Sequence, residues 1–301
     1  MFKTALDTAR LRPVRLWVWT VFVLLTLGIG LYVRFQIDRQ TTRLVLHTTA
    51  TNFYERGGTL MIAGGGELPE EVQRQFVEMA GGGAARLVII AGVYVDDEYV
   101  ANYFDEWQRC GPASVHVLNA SSRAEADDDQ FSRALDDATG VWLGGGQQTW
   151  LTSCYRGTVT ERKIRQVLDR NGIVGGTSAG AAVMSDVMIT GGRKKPSVGR
   201  GFGFLPGVII DQHFIKRNRF SRLRRVVEEN PKLVGIGIDE STALIVSLST
   251  RRVCVVGQSS IVVCLPEKIG RQYRVDVDFY SPGDEFQLAE PGYPETMLVS
   301  E

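Results

Sequence analysis

Gly175-Gly176-Thr177-Ser178-Ala179-Gly180 is the stretch on which the reading of this chain turns. The apolar pair Ile173-Val174 precedes it and Ala181-Ala182-Val183-Met184 follows, so the order is strand, sharp turn, helix. Gly176-x-Ser178-x-Gly180 has the spacing of a nucleophile elbow, in which small neighbours let a strained serine stand clear of the sheet. Glycine, lacking Cβ, accepts the backbone angles that such a turn demands. A hydroxyl at the carboxyl end of a strand lies where open α/β sheets hold their chemistry. A plain glycine-rich connection around a buried serine has the same five small residues, so the rest of the chain must decide.

Upstream, strands and helices alternate. Leu60-Met61-Ile62-Ala63 is an expected strand running into Gly64-Gly65-Gly66, and Pro69 to Met79 an expected helix with Glu70 and Glu71 at its positive end. Arg86 to Ile90, Ser114 to Leu118 and Gly140 to Leu143 are further strands. Asp97 to Arg109, Asp128 to Ala138 and Thr158 to Arg170 are the helices between them. Such alternation predicts an α/β fold with a mainly parallel sheet and helices on both faces. After Val234 the pattern turns to β, through Leu244–Ser247, Val253–Val256, Ile261–Leu265 and Tyr273–Val277. These predict a C-terminal antiparallel β extension.

The chain has 301 residues with 34 basic and 34 acidic side chains, so its net charge of zero gives no support for a nucleic-acid partner. Four cysteines, Cys110, Cys154, Cys254 and Cys264, show no CxxC and no Cys/His ligand spacing, so no metal site is expected. Cys254 and Cys264 flank an expected hairpin. They are either small apolar strand residues or, in an oxidising compartment, a disulfide. No cofactor is called for.

The N-terminus has its own pattern. Residues 1–15 are basic, and residues 16–33 are 18 residues without a charge, bordered by Trp17, Trp19 and Tyr32. That length and those aromatic borders predict a single transmembrane helix, and no small-x-small site marks a cleaved signal. The basic residues before the run predict a cytoplasmic N-terminus with the main domain outside. Residues 34–57 are then a stalk or linker, and residues 58–301 the main domain.

Downstream of the elbow, Val208-Ile209-Ile210 leads into Asp211-Gln212-His213-Phe214-Ile215-Lys216-Arg217-Asn218-Arg219-Phe220-Ser221-Arg222. Val234-Gly235-Ile236-Gly237-Ile238 leads into Asp239-Glu240. Three strand ends thus offer a serine, a histidine and a carboxylate, the parts of an activated-serine system. Of the three histidines, His47 lies in the stalk and His116 in mid-strand, which leaves His213 as the base with a loop context.

The motifs Gly176-Thr177-Ser178-Ala179-Gly180-Ala181, Asp211-Gln212-His213-Phe214 and Gly235-Ile236-Gly237-Ile238-Asp239-Glu240 together resemble the cyanophycinases, and more widely the serine peptidases related to aspartyl dipeptidase. The resemblance covers roughly residues 59–265. It implies a flavodoxin-like sheet akin to class I glutamine amidotransferases, with serine at the elbow in place of their cysteine. It implies Ser178 as nucleophile, His213 as base and Glu240 as acid, with hydrolysis through an acyl-serine. Asp239 is the rival acid. The oxyanion hole would be Ala179 and Gly145, with Gly64-Gly65-Gly66 another donor-rich turn, and Gln147 would match a substrate-binding glutamine of the family.

Arg217, Arg219 and Arg222 would grip substrate carboxylates, because guanidinium groups bind them through paired donors. The alternative is a solvated basic helix start. Asp211 and Gln212 would take the cationic side of a substrate such as β-Asp-Arg. The basic, glycine-rich segment from Gly191 to Gly203 suggests a mobile lid. The expected function is a membrane-anchored serine peptidase for aspartyl peptides or a cyanophycin-like polymer, as a monomer or a homodimer. An esterase-type hydrolase and a catalytically silent membrane-bound binding protein are the alternatives.

Overall fold

The computed structural model describes residues 57–269 and 272–288. The basic segment 1–15, the expected membrane helix 16–33 and nearly all of the 34–57 stalk lie outside the described residues. Among the described residues no helix is long and apolar enough to cross a membrane.

The core is an α/β assembly with a mainly parallel central sheet. Five parallel strands, β1 (Thr59–Ala63), β2 (Arg86–Gly92), β3 (Ser114–Leu118), β4 (Gly140–Gly146) and β5 (Ile173–Thr177), stand in the order β1-β5-β4-β2-β3. The inner strands β1, β5, β4 and β2 are mostly apolar and buried because both faces are covered, while the edge strand β3 is half open, with His116 exposed. One face carries α1 (Glu70–Met79) and α2 (Asp97–Gln108). There Phe76, Trp107 and Trp142 meet with ring centroids 4.9–5.3 Å apart. Against β1 runs an antiparallel extension of β10 (Thr242–Ser247), β11 (Arg252–Gly257) and β14 (Glu285–Gln287).

The expected extension divides between two sheets. β12 (Ile261–Ile269) and β13 (Gln272–Tyr280) leave the large sheet and join β8 (Val208–Asp211) and β9 (Val234–Ile238) in a second sheet, ordered β13-β12-β9-β8. Side-chain alternation explains why this sheet is apolar on both faces. Val208, Ile210, Ile236, Ile238, Ile261 and Val263 join the main core. Ile209, Val262 and Cys264 face Leu223, Val226 and Val227 of α7 (Phe220–Glu229). Cys254 on β11 and Cys264 on β12 therefore sit in different sheets, both buried and not joined to each other, and the disulfide option falls.

Three further features were not read from the sequence. Residues 128–138 are not one helix: a short α3 (Arg123–Ala126) and a 3₁₀ turn (Arg133–Leu135) flank an irregular segment. The Gln130 amide donates to Asp128 Oδ1 (2.7 Å), and the Ser132 hydroxyl donates to the Asp128 carbonyl (3.0 Å). Such local side-chain bonds compete with helix formation. Helix α4 (Gln148–Tyr155), beside α5 (Val159–Asp169), was not expected. Finally, the basic segment after Gly191 belongs to an antiparallel hairpin, β6 (Val187–Gly191) with β7 (Ser197–Arg200).

Candidate active site

Ser178 sits between β5 and the short α6 (Ala179–Ala182) at φ 52°, ψ −107°. Positive φ in a residue with a Cβ costs on the order of 1–3 kcal/mol and persists only where the surroundings impose it. Here the Ser178 amide donates to the Ala63 carbonyl (3.1 Å), and its carbonyl accepts from the Ala182 amide (3.0 Å). Gly180 is required for a different reason, close approach: a Cβ there would lie 2.1 Å from the Leu143 carbonyl oxygen of β4.

His213 follows the end of β8, also at positive φ, 47°. Its amide donates to the Gly64 carbonyl (2.7 Å) and the Phe214 amide to the Ile238 carbonyl (3.1 Å). The imidazole lies over Gly65, where a Cβ would come 2.4 Å from the ring Cε1. The triple-glycine turn after β1 is therefore part of the site, as the room the imidazole needs.

His213 Nε2 is 2.9 Å from Ser178 Oγ, and His213 Nδ1 is 2.7 Å from Glu240 Oε1. A carboxylate only accepts, so the proton sits on Nδ1 and Nε2 is left to accept from the serine hydroxyl. Burial pushes the His213 pKa below its ordinary value. The hydrogen bond to Glu240 opposes this, and the positive charges of Arg217 and Arg219 reinforce it. The imidazole is thus held neutral near pH 7, the form a base requires.

Asp239 does not touch His213. Its Oδ1 accepts from the amides of Ile215 (3.1 Å) and Lys216 (2.9 Å), and its Oδ2 from the Ser259 hydroxyl (2.9 Å). Of the two rival acids, the structure brings only Glu240 to the imidazole.

Ser178 and His213 open onto a cleft of about 930 Å³, whose lining includes Gly145, Gly146, Thr177, Tyr99, Tyr103, Trp142 and Glu106. A Cβ on Gly145 would lie 3.7 Å from Ser178 Cβ, so that backbone passes beside the hydroxyl. Ala179 opens α6, and the first amides of a helix have no partner within it. Gln147 follows Gly146 and is exposed at the start of α4. Sequence reasoning did not single out Tyr99, Tyr103 or Glu106, which ordinary helix periodicity hides on α2. Burial raises the pKa of the Tyr103 hydroxyl to about 12 and also raises that of the Glu106 carboxyl.

The polar residues of the 211–222 segment divide into two groups. Asp211 was expected to meet a cationic substrate group, but its side chain is 0% exposed. Arg222 Nε donates to Asp211 Oδ2 (2.8 Å), Arg222 Nη2 donates to Oδ1, and Arg219 Nη1 lies 3.3 Å from Oδ1. Gln212 is buried, with its carbonyl (2.6 Å) and its side-chain oxygen both accepting from Arg219. Asp211, Gln212, Arg219 and Arg222 are thus engaged with one another. The sequence reading gave both arginines to a substrate carboxylate; in the structure the carboxylate they hold is the chain's own. Arg217 is exposed and forms no ion pair among the described residues. It lines a second pocket, of about 400 Å³, with Arg193, Lys216, Asn218, Arg219 and Arg222.

The model of peptidase family S51 matches residues 60–253, which span all three motifs. The cyanophycinases of Synechococcus elongatus and Thermosynechococcus vestitus are each 32% identical over 244 residues, covering 77% of this chain and 75% of theirs. The cyanophycinase of Geminocystis herdmanii is 32% identical over 203 residues, covering 64% of this chain and 75% of its own. The crystal structure of a peptidase from an acI-B1 Actinobacterium shares the fold, with a TM-score of 0.63 at 22% identity over 77% of this chain and 97% of that one. With the family model matching well over half its length, the chain belongs to peptidase family S51 and is a serine-type peptidase.

Proposed function

We propose that this peptidase hydrolyses aspartyl-containing peptides, cyanophycin or a β-Asp-Arg-like polymer among them, with Ser178 as nucleophile, His213 as base and Glu240 as acid. The observation that carries the reading is the hydrogen-bonded chain Ser178–His213–Glu240 at the mouth of the cleft. Ser178 Oγ attacks the scissile carbonyl carbon while His213 Nε2 takes the hydroxyl proton. The negative oxygen that forms is met by the amides of Ala179 and Gly145. Collapse breaks the C–N bond, and the imidazolium returns its proton to the leaving amine. Water then attacks the acyl-serine with His213 again as base, releasing a carboxylic acid and free Ser178. Glu240 holds the tautomer and stabilises the imidazolium.

The comparison with cysteine-based class I glutamine amidotransferases is part of the same reading, with an ester in place of their thioester. The second pocket, to which Arg193, Lys216 and Arg217 bring exposed cationic side chains, supports an acidic substrate. The cyanophycinase relatives support cyanophycin as one substrate. The uncharged run 16–33 supports a membrane anchor with the peptidase domain outside the cytoplasm.

The test is Ser178→Ala assayed on cyanophycin, α-Asp dipeptides, isoaspartyl peptides and a simple ester, with fluorophosphonate labelling alongside. Turnover should fall by about 10⁴-fold or more, with labelling abolished and the melting curve unchanged. Near-normal turnover in a folded Ser178→Ala protein would end this reading.

A further inference from the structure

Two neighbouring carboxylates stand at the end of β9, and only Glu240 reaches the imidazole. Asp239 is 8% exposed, and burying a carboxylate is costly unless every contact is used. One of its oxygens serves the turn that follows His213, and the other takes the Ser259 hydroxyl.

That turn is built from the Arg217 amide to the His213 carbonyl (3.0 Å), Asn218 to Ile215 (3.0 Å) and Arg219 to Phe214 (2.9 Å). It is one helical coil starting at His213. Only its first two residues are buried, His213 at 7% and Phe214 at 2% exposed, while Ile215, Lys216, Arg217 and Asn218 are all exposed. The first amides of such a coil need an acceptor, and a helix ordinarily supplies one from its own preceding side chain. Here the acceptor comes from another strand. Asp239 Oδ1 takes the Ile215 and Lys216 amides together, and the Ser259 hydroxyl braces Oδ2 from the far side. The coil begins at a histidine with φ 47°, a conformation the local chain does not favour by itself.

We propose that Asp239 is a positioning residue, whose carboxylate clamps the coil carrying His213 and Arg217 and so holds the imidazole in line between Ser178 and Glu240. The inference rests on the roles proposed for Ser178 and His213. A displacement of about 1 Å at a reacting group can cost on the order of 100-fold in rate. The clamp needs an oxygen acceptor, not a charge. In Asp239→Asn, Oδ1 can accept the same two amides, and Ser259 can turn its hydroxyl to accept from Nδ2.

The experiment measures the rate of Ser178 labelling by a fluorophosphonate probe, which carries no carboxylate for Arg217 to bind, in Asp239→Asn, Asp239→Ala and Glu240→Gln, with thermal unfolding of each. Asp239→Ala should label roughly 100-fold more slowly at temperatures where it is fully folded. Asp239→Asn should stay within about threefold of the parent, and Glu240→Gln should be much slower than Asp239→Asn. Labelling of folded Asp239→Ala at the parent rate would overturn the proposal, since the contacts would then serve stability alone. Asp239→Asn as slow as Asp239→Ala would overturn it too, showing that the charge is what matters. If Asp239→Ala does not fold, Ser259→Ala frees Oδ2, and a several-fold slower labelling is expected. A parent-like rate there would count against the clamp. Failure of the parent protein to label at Ser178 would instead refute the nucleophile assignment, a separate outcome.

Discussion

Replacing Arg222 by methionine should damage the fold, not the selection of substrate. The aliphatic stem would keep much of its packing while the guanidinium is lost. Asp211, 0% exposed, would lose both bonds that Arg222 supplies, and the contact with the Gly192 carbonyl on the β6–β7 connection would go too. Removing one partner of a buried ion pair costs roughly 3–5 kcal/mol, because the remaining charge is left uncompensated. Arg219 stays 3.3 Å from Asp211, which places the expected loss near the lower end, about 3 kcal/mol. At roughly 2–4 °C per kcal/mol for a domain of this size, Tm should fall by roughly 6–12 °C. The assay is thermal unfolding, paired with kcat/KM on an aspartyl peptide and on a neutral ester well below the melt. Both substrates should respond alike. Adding Asp211→Asn should destabilise by much less than the sum of the two single changes, since the lone buried charge is removed. An unchanged Tm with a tenfold loss confined to the carboxylate substrate would refute the reasoning and put Arg222 in the substrate's hands.

Arg217→Lys keeps the charge but loses the paired donors, so kcat/KM on aspartyl peptides should drop about tenfold or more, roughly 1.4 kcal/mol; an equal loss on a neutral ester would remove Arg217 from the substrate pocket. Activity should fall as pH drops and His213 protonates, and because burial and then the nearby arginines depress its pKa, the acid limb of kcat/KM should lie below the ordinary imidazole value of about 6.5. Arg217→Gln removes one of those repelling charges, so the limb should move to higher pH; a shift to lower pH in a pH–rate series would contradict the electrostatic account. Deleting residues 1–33 should give a soluble, active enzyme, and carbonate-resistant membrane association of the truncated form would count against those residues as the anchor.

Local chemistry made much of this molecule legible in the sequence. Strand and helix periodicities are properties of neighbouring residues, so the parallel core, its helices and the elbow at Ser178 could be read from spacing. The same holds for His213 and the Asp239-Glu240 pair, each stationed at the end of an apolar run whose direction the pattern fixes. What the sequence could not express is the partner of a long polar side chain. Asp211 and Arg222 are equally consistent with substrate binding and with mutual burial, and only burial in the tertiary structure decides that they hold each other. Asp239 and Glu240 differ by one position, and the imidazole reaches one of them because the backbone turns between them. Gly65 reads as another loop glycine until the His213 ring is seen lying over it. The assignment of β12 and β13 to the second sheet was equally hidden, since both sheets offer apolar neighbours, and only the three-dimensional pairing shows β12 beside β9 while β14 takes the edge of β11.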